Sequence, residues 1–165
     1  MKPLFVVTLL AFILTAPTHA VSFFAKLEGA QEVPPVDTTA YGSATLSVDL
    51  VSRAFTLTGA ISNLVFTPTA AHIHGPAAVG QNGPVLFPLG FNAEPEGPLD
   101  AAGVLSEEQL DWLFAGLLYV NVHTTEHPGG EIRGQLALVP EPGTYALLAG
   151  LGLCAFAAVR RWRSA

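Results

Sequence analysis

The sequence predicts an all-β fold, a Greek-key sandwich or flattened barrel that carries one short helix. Two observations lead to this prediction. Apolar and polar residues alternate in several short segments, as they do in strands with one face in a core and the other in water. Clusters of Gly, Pro and Asn separate these segments at turn-like spacing, and one segment between them has a helical pattern instead. Short strands joined in this way pack around one core.

Four segments show the alternation, and in each the apolar side chains are expected to face the core. They are residues 41–50, with Ala44, Leu46, Val48 and Leu50 inward; 53–61, with Phe55 and Leu57; 117–125, with Val120 and Val122; and 131–138, with Ile132, Leu136 and Leu138. In the third segment, Tyr119, Asn121 and His123 are expected on the opposite face, in water.

The segment "LSEEQLDWLFAGL" predicts the helix. Ser106 and Gln109 have the spacing of a capping box, and two glutamates follow Ser106 at the positive end of the helix dipole. A buried stripe is expected at Leu110, Leu113 and Phe114, and Gly116 is expected to end the helix.

Residues 1–20 have the pattern of a secretory signal peptide. Lys2 gives a basic start, "LFVVTLLAFIL" a short apolar core, and "APTHA" a small-residue exit at Ala20, after which we expect cleavage. The alternative is an N-terminal membrane anchor. It fits less well because the apolar core is short for a bilayer.

The other end of the chain, residues 139–165, predicts a second membrane-related segment. An apolar stretch without charge, residues 145–159, follows a Pro-Glu-Pro sequence and precedes Arg160, Arg161 and Arg163. The stretch has no polar face, which favours a membrane helix over a buried amphipathic one. The arginines favour the cytoplasmic side, so the preceding domain is expected outside the inner membrane.

This tail resembles the PEP-CTERM sorting signal of Gram-negative bacteria, with Pro140, Glu141 and Pro142 as its short motif between Val139 and Gly143. The resemblance implies an exosortase-type processing enzyme as partner and a cut near Pro140–Pro142. It also implies transient anchoring in the inner membrane, followed by release to the cell surface or an extracellular polymer matrix.

The composition of the remaining domain, residues 21–138, restricts its partners. Its only basic residues besides histidine are Lys26, Arg53 and Arg133, against a dozen acidic ones. Such an acidic surface excludes nucleic acid and anionic lipid as expected partners. The single cysteine, Cys154, lies in the tail, so the domain has no disulfide and depends on a packed core.

The domain shows no recognisable catalytic set. There is no phosphate-binding loop, no nucleophile elbow and no exported cysteine, and we assign no catalytic residue. The glutamates could converge in space as paired carboxylates, although solubility is their ordinary role. A non-enzymatic binding or structural module is therefore the predicted function, with an extracellular polymer or surface proteins as possible partners.

The histidines are the one group of residues in the domain whose spacing suggests a specific chemical role. His72 and His74 in "AAHIHGPA" lie two apart on a predicted strand and share one face, about 6.6 Å apart. His123 lies on the polar face of a second strand, and His127 follows in a loop. His72, His74 and His123 are the candidate metal ligands, for copper or zinc. Histidines at strand ends also simply bond to turn carbonyls, and the sequence does not show which face of the "HIH" strand points inward.

The segments "AAHIHGPAAVGQNGPVLFPL" and "LFAGLLYVNVHTTEHPGGEIRGQL", with "LEGAQEVPPVDTTAYGSATLSVD" before them, resemble the CHRD domain named after chordin. The resemblance runs from about residue 26 to residue 136. It implies an all-β extracellular module and leaves its activity open.

A looser resemblance links the chain to the copper–zinc superoxide dismutase barrel. His72 and His74 followed by His123 match the order of a His-x-His pair and a later copper ligand, and Arg133 is similar to the arginine that guides superoxide. The bridging histidine, the zinc loop and the disulfide of that family are missing. A copper-binding, superoxide-dismutase-like domain is thus the alternative function.

Overall fold

The computed structural model describes residues 20–140 and residue 160, and within 20–140 the strands form one antiparallel sheet that rolls into a nearly closed barrel. The elements are β1 (Ala20–Glu28), a 3-10 turn (Gly29–Gln31), β2 (Tyr41–Asp49), β3 (Ala54–Ser62), β4 (Pro68–His74), β5 (Val85–Pro88), β6 (Gly90–Phe91), β7 (Gly97–Val104), α1 (Glu107–Phe114), β8 (Tyr119–Thr124), β9 (Ile132–Gln135) and β10 (Ala137–Leu138). The order in the sheet is β5-β4-β8-β9-β1-β2-β3-β7-β6, and β10 also pairs with β1. The all-β prediction is confirmed.

β2 and β3 form a hairpin beside β1, the middle strand of the sheet, and they carry the predicted alternation. Leu46 pairs with Leu57 on one side and with Phe23 of β1 on the other, and all three are at most 2% exposed. Burial of each such side chain contributes about 1.5–3 kcal/mol to the stability of the fold. The period-two pattern therefore places one row of large side chains from three strands in the core.

The predicted helix forms α1, and its capping box is present. Ser106 accepts from the backbone N–H of Gln109, and the Gln109 side chain accepts from the backbone N–H of Ser106. Leu113 is fully buried, and Gly116 follows the helix with φ +68°, a backbone conformation that suits glycine. Phe114 departs from the predicted stripe: it is 47% exposed, with one edge against Phe23.

Three further expected orientations are wrong, for two reasons. Leu50 lies one residue beyond β2, in the turn, and is exposed; Leu138 lies in the two-residue strand β10 at the end of the domain and is also exposed. The face of β8 expected in water is covered instead. All six residues of β8 are buried. The loops that carry Gln81, Gly83 and Pro128 bind side chains of β9, β4 and β8 from that side. His123 lies on this covered face of β8.

The predictions on the chain ends lie almost entirely outside the described residues. The signal peptide, the membrane segment 145–159, Glu141, Pro142, Arg161 and Arg163 are among them, whereas Pro140 and Arg160 are described and exposed. In the part of the chain that the structure describes, no helix is long and apolar enough to cross a membrane.

Candidate metal centre

The two histidines of β4 share one face of the strand, opposite the core. Ala71 and Ile73 are 2% and 0% exposed and pack in the core, so His72 and His74 project from the other side. The sequence leaves this choice of face open. Strand parity then places both imidazoles in the layer between the sheet and its covering loops.

His123 on β8 completes a cluster of three imidazoles. It lies opposite Ala70 of β4, whose small side chain leaves room for the ring. The ring centroid of His123 is 5.0 Å from that of His72 and 5.5 Å from that of His74. One ring nitrogen from each residue lies within 4.8 Å of the other two. The structure thus brings together the three histidines that the sequence singles out.

Backbone carbonyls fix the orientation of two of the rings. The Nδ1 atom of His74 lies 3.0 Å from the carbonyl oxygen of Gly83, and that of His123 lies 2.9 Å from the carbonyl oxygen of Pro128. A carbonyl oxygen only accepts hydrogen bonds, so each Nδ1 carries the proton and each Nε2 keeps a lone pair. Metal-binding histidines are commonly oriented by such bonds from the other ring nitrogen.

The two lone pairs face each other. The Nε2 atoms of His74 and His123 are 3.3 Å apart. Two nitrogens bound to one ion at about 2.0–2.1 Å, with a tetrahedral angle between them, are separated by about 3.3 Å. The pair therefore has the spacing of two ligands of a single ion.

His72 is the third member and the most accessible. Its Nδ1 atom is buried and has no hydrogen-bond partner among the described residues, while the residue as a whole is half-buried. Its ring stands edge-on to that of His74, 5.4 Å away. With no carbonyl to fix it, this ring is free to adjust to an ion held by the other two.

Burial keeps all three imidazoles neutral near pH 7. It lowers the pKa of His123 to about 4, although the bond to the Pro128 carbonyl acts in the opposite direction. Burial also lowers the pKa of His74, against the bond to Gly83, and the pKa of His72. Neutral imidazole is the form that coordinates a metal.

Tyr119 supports His74 from the neighbouring strand. The two are register partners, and their rings stack at 5.1 Å with an interplanar angle of 15°. The hydroxyl of Tyr119 accepts from the backbone N–H of Gly83 at 3.0 Å, so the same side chain holds the loop that binds His74. The sequence places Tyr119 and His123 on one face of their strand, which indicates that Tyr119 lies near the histidines. No sequence pattern identifies the carbonyl groups of Gly83 and Pro128 as partners of the rings.

Arg133 is buried, and its guanidinium is bound by a loop rather than exposed beside the histidine cluster. It is 2% exposed, its guanidinium lies 4.4 Å from the ring centroid of Tyr119, and it donates to Asn82 Oδ1 and to the carbonyl oxygen of Gln81. Guidance of an anion from solvent requires an accessible guanidinium, so the position of Arg133 does not fit the role implied by the dismutase resemblance. Arg133 instead fixes the loop that carries Gly83.

His127 lies apart from the cluster. Its ring packs edge-on against Phe66, 5.6 Å away, and its carbonyl oxygen accepts from the N–H groups of Thr124 and Gly130. The sequence predicts a lesser role for His127 in metal binding, and the structure gives this residue a place in loop packing.

Comparison with known proteins agrees with two of the resemblances. The family model of the CHRD domain matches residues 23–136, and that of the PEP-CTERM protein-sorting motif matches residues 138–163. A search of curated proteins finds no match. The sorting motif implies export and membrane-anchored processing in a Gram-negative bacterium, and it is recognised by an exosortase.

Proposed function

We propose that this chain, which belongs to the CHRD domain family, is an exported binding protein that holds one copper or zinc ion through His72, His74 and His123. The observation that supports this proposal most directly is the pair of facing Nε2 atoms, 3.3 Å apart. Each belongs to a ring whose other nitrogen is already committed to a carbonyl.

The facing pair is unfavourable without a cation between or beside the two nitrogens. Leaving a buried acceptor without a partner costs about 1–3 kcal/mol. A shared proton would satisfy both acceptors, but the lowered pKa of each ring opposes protonation near pH 7. A metal ion accepts both lone pairs at once, and His72 Nδ1 is a further buried nitrogen without a described partner.

The donor set favours copper or zinc over other common cations. Among the described residues the cluster contains three histidines and no carboxylate. Calcium and magnesium prefer oxygen ligands, whereas imidazole nitrogen suits copper and zinc. Three protein ligands leave a further coordination position for water or a small ligand.

We propose metal binding rather than superoxide dismutation as the role of this site. The buried guanidinium of Arg133 is engaged by Asn82 and Gln81 and is not available to attract an anion. A non-enzymatic module that holds or presents the ion at the cell surface or in an extracellular matrix accounts for the cluster without a catalytic set.

Of the barrel strands, the proposed processing removes only Ala20, the first residue of β1. The N–H of Val139 donates to the carbonyl oxygen of Ser22 at 2.9 Å, so the contact of the described chain with β1 extends to the residue before Pro140. Removal of a signal peptide after Ala20 and an exosortase cut near Pro140–Pro142 would release a chain that begins at residue 21 and ends at about residue 140, and that contains the whole of residues 21–138. Intact mass of the exported protein tests this: a species that retains Arg160–Arg163 would contradict removal of the tail.

Metal analysis of the purified full chain tests the site. After incubation with excess copper and removal of loosely bound ion, we expect one copper per chain in the wild type and none in a variant with His72, His74 and His123 all replaced by alanine. His127→Ala is the matched control and should retain one ion. Equal copper content in the wild type and the triple variant would contradict the proposed function.

A further inference from the structure

A small cleft lies beside the candidate metal centre, between residues 32–36 and the loop at residues 126–130. Its volume is about 200 Å³. Apolar residues, among them Val33, Val36 and Pro128, form part of its wall, and the acidic residues Glu32 and Glu126 also line it. The wall of the cleft thus combines apolar residues with two acidic ones.

Glu32 is the unusual member of this wall. It is only 4% exposed, and its Oε1 atom is buried without a hydrogen-bond partner among the described residues. The Oδ1 atom of Asn121 is in the same condition. Both oxygens lie against the position that a Cβ on Gly130 would take, and Gly130 itself lines the cleft. Two neighbouring buried acceptors are therefore left without donors.

We propose that this cleft binds an aliphatic primary ammonium group, as carried by a lysine side chain or a small alkylamine. An ammonium group has three donors and a charge that matches the Glu32 carboxylate. The alkyl chain would lie along the valine and proline side chains. At about 30 Å³ for each water-sized group, the volume holds about six or seven non-hydrogen atoms, enough for the five of an aminobutyl chain.

The nearest cation of the domain does not fill this role. Arg133 acts on Glu32 electrostatically, but its guanidinium donates to Asn82 and Gln81. The rival explanation is internal: a protonated Glu32 could donate to Asn121 Oδ1 and need no ligand. Burial raises the pKa of Glu32 to about 7, with Arg133 opposing the rise. A neutral amide at position 32 distinguishes the two, because it supplies a donor but no charge.

The cleft also shares a wall with the metal centre. Pro128 lines the cleft, and its carbonyl oxygen accepts from His123 Nδ1. The Asn121 amide likewise donates to the carbonyl oxygen of Gly129 at 3.1 Å. The ammonium site needs no metal and is proposed independently of it, yet a group bound there would contact the loop that orients His123.

The test is an NMR titration of the ¹⁵N-labelled, metal-free full chain with n-butylammonium at about pH 8, where Glu32 is ionised. We expect saturable shifts of the amides of Val36, Gly129 and Gly130, and no such response to the neutral isostere 1-butanol. Glu32→Gln should weaken binding about tenfold or more, as expected for loss of a charged hydrogen bond.

A second titration, with Nα-acetyl-lysine methylamide, distinguishes the two sources of the ammonium group. Binding comparable to that of n-butylammonium points to a lysine side chain of a partner, and weaker binding points to a free amine.

A second variant covers the case in which Glu32→Gln does not fold. Gly129 lines the cleft, and a Cβ there would meet nothing within 4 Å, so Gly129→Val places a larger residue at the cleft wall and should also weaken the response. An equal response to 1-butanol, unchanged affinity in both variants, or no shift with the amine would each overturn the proposal.

Discussion

The Nε2 atoms of His74 and His123 face each other across 3.3 Å, on two strands whose loops hold the opposite side of each ring. These two imidazoles are preorganised, whereas His72 has no such bond to the described residues. The candidate site therefore consists of a fixed pair and one adjustable ring. The three histidines should contribute unequally to metal affinity, because a ligand that must be ordered on binding loses conformational entropy.

Loss of a fixed ligand should cost more than loss of the adjustable one. If only the folded state binds, copper at about 100 times its dissociation constant adds about 2.7 kcal/mol to the free energy of unfolding of the wild type. We expect this gain to vanish in His123→Ala and to persist in part in His72→Ala at the same copper concentration. Thermal unfolding with and without copper measures both.

His127→Ala is the control for that series. Its ring contacts Phe66 and not the cluster, so the variant can lose intrinsic stability and still show the full copper-dependent gain. A copper response in His123→Ala equal to that of the wild type would show that the ion binds elsewhere.

Tyr119 should tune metal affinity without being a ligand. Its ring stacks on His74, and its hydroxyl accepts from the N–H of Gly83, the residue whose carbonyl fixes His74 Nδ1. Groups that orient a metal ligand typically change affinity by about 10–100-fold when they are replaced. We expect Tyr119→Leu to weaken copper binding by about tenfold while the stoichiometry stays at one ion. Competition with a chelator of known affinity gives the value, and Tyr41→Leu, at an exposed tyrosine, should leave it unchanged.

The central strands could be predicted from the sequence because their alternation is strong and their core residues are large. The sequence does not predict β7, since five of the eight residues of "GPLDAAGV" are Gly, Pro or Ala and the segment has little periodic signal. It forms because β3 offers it a long register of partners. β1 has a clear alternation at Phe23, Ala25 and Leu27, but its first residue, Ala20, is also the last residue of the predicted signal peptide, and this strand is not among those predicted from the sequence.

The proximity of the three histidines could be predicted from the sequence, whereas the backbone groups that orient their rings could not. Strand parity places His72 and His74 on one face, and His123 on the polar face of its own strand. The carbonyls of Gly83 and Pro128 reach the rings only because tertiary contacts such as Arg133 with Asn82 fold the loops back over the sheet. Backbone positions of that kind carry no side-chain signature.

Gly134 of β9 should not tolerate a side chain. A Cβ there would contact the backbone carbonyl of Lys26 in β1, where neither strand can move without disturbing the sheet. Overpacking of this kind costs about 1–3 kcal/mol. We expect Gly134→Ala to lower the free energy of unfolding by that amount in urea denaturation. Gly129→Ala, at a position with open space, should stay within about 0.5 kcal/mol of the wild type; equal effects would contradict the close approach of β1 and β9.

Acid should destabilise the metal-free protein through His123. Burial lowers its pKa from 6.5 in the unfolded chain to about 4 in the fold, so between these values the unfolded state binds more protons. Stability is then fully present above pH 6.5 and is lost as the pH falls toward 4, by about 2 kcal/mol after allowance for solvent screening. Urea denaturation across this range should show a shallower loss in His123→Gln, which cannot titrate. An identical slope in the variant would show that the ring of His123 is not desolvated in the fold.

Glu32 should have the opposite pH dependence, which provides a separate test of its burial. Burial raises its pKa from 4.5 to about 7, with Arg133 and the N–H of Val33 opposing the rise, so between these values the folded state binds more protons than the unfolded state. The contribution of Glu32 to stability therefore falls as the pH rises through this range, by about 2 kcal/mol with the same allowance for screening.

The variant Glu32→Gln tests this dependence. The charged and titratable groups around Glu32 remain in that variant: Glu126 and His127 in the loop, and Arg133 in β9. We expect that variant to be more stable than the metal-free wild type above about pH 7, and to lose this advantage as the pH falls below about 4.5. Because Glu32 and His123 act in opposite directions between about pH 4.5 and 6.5, Glu32→Gln should also steepen the acid-side loss. The exposed Glu94→Gln is the matched control, and a parallel shift of stability at every pH in Glu32→Gln would contradict a buried, titrating carboxyl at this position.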